Sequence, residues 1–162
     1  MHWLITGTGA IALAIKDERP DATVFATDLS PEAVELAREN AERLGLQVTI
    51  LEGDLLESLP EDLRGWVDLV ISNPPYVPAE ELEDLPVEVQ ADPRFALVGG
   101  LELVARLAGQ ATRWLRDGGA LVIEIDARYG VEVSEMLGRD FTGVRVERDL
   151  AGRDRVVVAR KP

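Results

Sequence analysis

Trp3-Leu-Ile-Thr-Gly-Thr-Gly-Ala-Ile-Ala-Leu13, followed by Thr23-Val-Phe-Ala-Thr-Asp28, is the stretch that decides the fold. Trp3 to Thr6 is a short β-like run closed by Gly7-Thr-Gly9, and Ala10 to Lys16 then reads as a helix. Thr23 to Thr27 is a second strand, ending at Asp28. Strand, glycine turn, helix, strand is a βαβ unit, and such a crossover sets its two strands parallel.

Working outward, the alternation continues to the end of the chain. Ser30-Pro-Glu-Ala33 opens the next helix with an N-cap serine, proline at the first helical position and acid in the first turn. Ala33, Val34, Leu36, Ala37, Ala41 and Leu44 recur at helical spacing until Gly45 stops it. Gln47 to Leu51 is a third strand leading into Glu52-Gly-Asp54. Trp66 to Ile71 is a fourth, terminated by Ser72-Asn-Pro-Pro-Tyr76. Residues 77–98 read as an acidic, proline-bearing loop of the length that functional lids have. Leu101 to Leu115 returns to helical periodicity, Gly118-Gly119 opens a fifth strand through Ile125, and Gly130 to Leu137 is a short helix. Gly143 to Glu147 and Arg155 to Ala159 alternate as a hairpin turning through Gly152. The expected fold is α/β, a doubly wound and mostly parallel sheet with an antiparallel C-terminal hairpin, in one domain over residues 1–162.

Composition removes whole classes of chemistry. The 162 residues carry 17 basic and 30 acidic side chains, a net charge of −13. Extended, sequence-independent binding to nucleic acid is therefore not expected. Cysteine is absent, which excludes disulfides, thiol nucleophiles and Cys-ligated zinc. The one histidine is His2, so His-based triads and His-rich metal sites are poor candidates, and no metal is expected. The longest apolar stretch, around Ala120-Leu-Val-Ile123, is far short of a membrane span, and the start lacks the pattern of a secretory signal. A cytoplasmic protein is the expectation.

In an open α/β sheet, ligands sit beyond the carboxyl ends of the strands, near the switch in strand order. Gly7-Thr-Gly9-Ala-Ile-Ala12 fits the Gly-x-Gly-x-x-Gly/Ala pattern, in which glycine lets the backbone approach a ligand without a Cβ clash. Asp28, at the end of the second strand, can accept both hydrogens of a ribose diol. Together they suggest an adenosine-containing cofactor and leave open whether it carries nicotinamide or S-adenosylmethionine. Asp54, or the neighbouring Leu55 amide, is placed to meet the adenine edge.

Asn73-Pro74-Pro75-Tyr76 is the most specific signal. Proline fixes φ and has no N–H, so the Pro-Pro step leaves the strand ladder and holds a rigid, extended turn. Pro74 C=O is thereby kept out of sheet pairing, and Asn73 offers an amide oxygen beside it. Two acceptors at fixed geometry are what an NH2 group needs if its nitrogen is to be oriented for attack. Tyr76 supplies an aromatic face for a planar group.

These residues bring the chain to a resemblance. It resembles the catalytic domain of the HemK/PrmC family, S-adenosylmethionine-dependent methyltransferases that modify the glutamine of the Gly-Gly-Gln motif in peptide release factors. The matching stretches are Thr6 to Leu13, Ala26 to Ala33, Glu52-Gly-Asp54, Ser72-Asn-Pro-Pro-Tyr-Val77, Glu88-Val89 followed by Pro93 and Ala96-Leu97, Gly99-Gly100, and Asp149 to Arg155. The resemblance implies a Rossmann-like class I methyltransferase fold and S-adenosyl-L-methionine as cofactor. It carries a cofactor-binding role to Thr6, Gly7, Thr8, Gly9, Asp28, Leu29, Asp54, Leu55 and Asn73. It carries catalytic roles to Asn73, Pro74 and Tyr76, and substrate binding to Asn73, Pro74, Pro75, Tyr76 and Glu88. A monomer acting on a release factor is implied, without the N-terminal helical domain with which family members help grip that substrate. Trp3 and Ile5 depart from the family, which has an acid and a glycine there, and Ile5 is expected to narrow the first loop.

Methyl transfer to a glutamine amide is the leading reading. An adenine N6-methyltransferase on RNA or DNA needs the same acceptors and stacking aromatic, and the net charge and the Glu88-to-Gly100 segment weigh against it. A catalytically weakened adenosine-binding module is the reading that Trp3 and Ile5 support. A dehydrogenase comes last, because no hydride-transfer proton relay accompanies the glycine loop.

Overall fold

The computed structural model describes residues 2–6, 9–75 and 100–162. β1 (His2–Thr6), β2 (Thr23–Asp28), β3 (Thr49–Glu52) and β4 (Val67–Ser72) are joined by α1 (Ala10–Glu18), α2 (Pro31–Leu44) and the 3₁₀ turn Glu61–Leu63. α3 (Leu101–Trp114) runs directly into β5 (Leu115–Glu124), and α4 (Gly130–Leu137) precedes β6 (Thr142–Arg148) and β7 (Asp154–Arg160).

The strands form one sheet in the order β3-β2-β1-β4-β5-β7-β6. Pairing is parallel from β3 through β5, and antiparallel where β7 joins β5 and β6. The mostly parallel sheet and its antiparallel hairpin are therefore as expected. After stepping outward from β1 to β3, the chain returns past β1 to place β4 on its other side. That reversal puts a switch point between β1 and β4, where a crevice opens at the carboxyl ends.

Apolar periodicity dictates two layers of core. Ala12, Leu13, Val34 and Ala37 of α1 and α2 pack with Val24, Ala26 and Ile50 of the sheet. Leu107, Ala111 and Trp114 of α3 pack with Leu56, Val70, Leu121, Ile123 and Val157. α2 shows how local chemistry sets an element's bounds. Ser30 Oγ accepts from Ala33 N–H at 3.2 Å, Pro31 occupies the first turn, and Gly45 closes the helix at φ 67°.

One expectation needs correction. β5 begins at Leu115 rather than at Gly118, because Leu115 already pairs with Val67 before a register shift interrupts the ladder. Ile5, expected to narrow the first loop, is placed here by its backbone pairing alone. It lies inside β1, in register with Ala26 on one side and Ile71 on the other. Glycine at such a position in a central strand would cost about 0.5–1 kcal/mol, so the aliphatic residue belongs to the ladder.

The hairpin tip is held by Asp149. Its carboxylate accepts from the backbone N–H groups of Ala151 and Arg153 and pairs with the Arg153 and Arg155 side chains. The Arg153 N–H first, with Arg155 and Ala151 adding to it, holds this carboxyl at about 2. A depressed carboxylate contributes stability above its unfolded pKa of roughly 4, and loses it as pH falls through the folded value. The thermal midpoint should therefore fall more steeply between about pH 4 and pH 2 than that of Asp149→Asn, which has no charge to lose there. Parallel curves for the two proteins would show that the turn does not depend on this carboxylate.

Candidate functional site

The carboxyl ends of four parallel strands meet at one edge. Thr6 ends β1 opposite Thr27, Asp28 ends β2 opposite Glu52, and Ser72 ends β4 opposite Ile123. At about 4.8 Å per strand, the edge from β3 to β4 is roughly 14 Å wide. Asp28, Asp54 and Asn73 all emerge along it.

Gly9 stands where β1 gives way to α1. It is buried, at φ 84°, and a Cβ added to it would lie 2.9 Å from Ala37 Cβ. Both the left-handed backbone and the close packing of α1 on α2 demand glycine here. Gly7 and Thr8 lie outside the described residues, and Thr6 is placed as the last residue of β1.

Asp28 is half-buried, and its Oδ1 accepts from Ser30 N–H at 2.8 Å. It therefore has a structural duty, shaping the turn into α2, which also fixes where its second oxygen stands. Leu29 follows it with an exposed apolar side chain at the rim.

The loop after β3 is stitched on both sides. Gly53 N–H donates to Asp28 C=O at 2.9 Å, and the buried Thr27 hydroxyl donates to Leu55 C=O at 2.6 Å. Leu55 sits at φ 53°, a costly conformation for a leucine, and its N–H makes no hydrogen bond among the described residues. From α3, the buried Gln110 accepts from Leu56 N–H through Oε1 at 2.8 Å and donates to Glu57 at 3.2 Å. Arg106 pairs with Asp54 Oδ2, whereas Asp54 Oδ1 is buried without a partner among the described residues. A buried carboxylate oxygen lacking a donor is costly, and a ligand N–H arriving there would remove the cost. An adenine amine is such a donor, so the residues present fit an adenosyl cofactor.

Sequence reasoning had no role for Arg106 and Gln110. Gln110 carried a signal all the same, being a polar residue on the apolar stripe that Leu107 and Ala111 define.

β4 pairing ends at Ser72, so Asn73 and Pro74 lie beyond the ladder, as the Pro-Pro step requires. Asn73 is exposed and Pro74 buried. Pro75 C=O accepts from Gly100 N–H at 3.2 Å, which pins this strand end to the start of α3. Tyr76 and Glu88 lie outside the described residues. Among the described residues, no group of His, Cys, Asp or Glu is arranged to hold a metal ion, and no helix is long and apolar enough to cross a membrane.

The family model for the methyltransferase small domain matches residues 4–90. The release factor glutamine methyltransferase of Deinococcus radiodurans is 43% identical over 159 residues, which cover 96% of this chain and 56% of that protein. The protein of the same name from Moorella thermoacetica is 44% identical over 163 residues, covering 95% and 56%. The chain thus spans about half the length of the curated relatives it matches. A crystal structure of a methyltransferase from Pyrococcus furiosus superposes with a TM-score of 0.70 at 18% identity, over 98% of this chain and 74% of that one. That likeness is one of fold.

Proposed function

Because this chain belongs to the methyltransferase small domain family, we propose that it moves a methyl group from S-adenosylmethionine to a glutamine side-chain amide nitrogen, in a peptide chain release factor. The observation that carries the reading is the Asn73-Pro74 step, set just past the last paired residue of β4 and beside the β1–β4 switch point. The similarity to release factor glutamine methyltransferases supports a release factor as the substrate. A cytoplasmic monomer that contacts neither membrane nor nucleic acid directly completes the proposal.

The Gly9 turn, Asp28, Leu29, Asp54 and Leu55 would hold the cofactor, with Asp28 toward the ribose diol and Asp54 toward the adenine edge. When bound, S-adenosylmethionine supplies an electrophilic methyl group on a sulfonium. The chain's task is to present the nucleophile. An amide nitrogen is poor in that role, because its lone pair is delocalised into the carbonyl. Asn73 Oδ1 and Pro74 C=O, each accepting one of its hydrogens, would orient that nitrogen and favour the positive charge it develops, which is discharged when one of those hydrogens leaves as a proton to solvent. Catalysis is then mostly positioning and fixed dipoles, which suits a chain whose one histidine is His2.

Labelled methyl incorporation tests the function. A purified release factor should be labelled, while tRNA, DNA and a release factor altered at its motif glutamine should not. Label in tRNA or DNA, or in the altered factor, would overturn the assignment.

Asp28 gives a test of the cofactor site. Asp28→Ala should weaken cofactor binding by about 1–3 kcal/mol, since a buried ribose hydroxyl pair loses a charged acceptor. Asp28→Asn retains an acceptor for Ser30 N–H, so α2 keeps its start and any remaining loss belongs to the ribose. Calorimetry on the two variants checks this, and an unchanged dissociation constant in the alanine variant would remove Asp28 from the site.

A further inference from the structure

We propose that Arg106 is a positioning residue for purine recognition. It orients Asp54 so that the buried Oδ1 faces the exocyclic amine of adenine, with Gln110 fixing the backbone beneath. This rests on the cofactor reading above and adds to it the element that selects the base.

Asp54 has two unlike oxygens. Arg106 occupies Oδ2, and Oδ1 is buried with no partner among the described residues. One oxygen held by a cation leaves the carboxylate little freedom to rotate, so the other presents a fixed acceptor. The backbone around it is equally constrained. Arg106 and Gln110 are one turn apart on α3 and so share a face. Arg106 takes the loop's side chain, and Gln110 takes its main chain at Leu56. Gly53 N–H and the Thr27 hydroxyl close the loop from the β2 side. The same helix begins at Gly100, whose N–H holds Pro75. α3 is thereby a strut touching both the base end and the reacting end of the crevice.

The competing explanation is an ordinary surface ion pair. The side chains of Arg106 and Asp54 are 47% and 32% exposed, and pairs that wet contribute little to stability. Removing Arg106 should then shift the thermal midpoint by no more than about 4 °C. A large effect on ligand choice beside so small an effect on stability separates positioning from scaffolding.

The experiment is calorimetry with S-adenosylhomocysteine and S-inosylhomocysteine, in which a carbonyl oxygen replaces the amine and ring N1 becomes a donor. The unaltered protein should prefer the adenosyl compound by about 10–100-fold, because the inosyl compound leaves Oδ1 unpaired and faces the Leu55 N–H with another donor. In Arg106→Ala that preference should fall to within about threefold, through weaker binding of the adenosyl compound alone. Arg106→Lys, which keeps a cation, should restore most of it, and Asp54→Ala should abolish it. An Arg106→Ala protein that keeps the full preference, or loses affinity for both compounds equally, would overturn the proposal. Binding of neither compound to the unaltered protein would instead overturn the cofactor reading on which it rests.

Discussion

Replacing Asn73 with alanine should lower kcat by about 10²–10³-fold while leaving the dissociation constant for S-adenosylmethionine within about twofold. The magnitude follows from deleting one oriented hydrogen-bonding group at a reacting centre, by analogy with the loss of one oxyanion-hole donor. On the proposed reading the cofactor would be held chiefly from the ends of β1, β2 and β3, so its affinity should depend little on Asn73. Pro74 carries the second acceptor on the main chain, and Pro75 is tied to Gly100, so the substitution does not release the strand end. Asn73→Asp keeps an acceptor while adding charge, and should retain more activity than alanine. Single-turnover methyl transfer to a release factor at saturating cofactor measures both variants. A wild-type rate in the alanine variant, or loss of cofactor binding before loss of rate, would reduce Asn73 to a strand-end residue.

Gly9→Val should destabilise the fold by about 2–5 kcal/mol, the largest effect expected of any single change at the glycine turn. Two costs add. The left-handed backbone at φ 84° penalises any L side chain by about 1–2 kcal/mol, most severely a β-branched one. The new Cβ meets Ala37 Cβ at 2.9 Å, and forcing atoms into a packed contact costs about 1–3 kcal/mol. Because Ala37 is fully buried in α2, relief requires α1 and α2 to separate. Denaturant unfolding of Gly9→Ala, Ala37→Gly and the double variant isolates the second cost. The two substitutions should couple by about 1 kcal/mol, since the Cβ of one occupies space vacated by the other. Additive effects in that cycle would show that the helices do not depend on this contact.

Elements bounded by their own residues were legible without the fold. Ser30, Pro31 and Gly45 mark the limits of α2 through capping bonds within a few residues of each end, and the structure reproduces them. The turn through Gly152, at φ 79°, is equally local, as is the termination of β4 by Asn73-Pro74-Pro75. β5 was misjudged at its start because the boundary depends on a partner. Leu115 is a strand residue only because Val67 lies beside it, and the Gly118-Gly119 pair marks the irregularity that follows rather than the beginning.

For the site the division is sharper. Gly9, Asp28, Asp54 and Asn73 could be nominated from the sequence because each lies at or shortly after the end of a strand, and α/β topology delivers strand ends to one edge whatever the strand order. Periodicity and turn chemistry also determined the alternation of elements, the parallel pairing and the antiparallel close, all of which are short-range consequences of backbone geometry. The order β3-β2-β1-β4-β5-β7-β6 was decided by the tertiary structure, because several orders satisfy the same local preferences and packing chooses among them. The same holds for α3 as the brace of the loop after β3. Arg106 and Gln110 meet Asp54 and Leu56 across more than fifty positions of sequence. No local propensity encodes such a contact; it exists only once the two core layers have closed and set α3 beside the loop after β3.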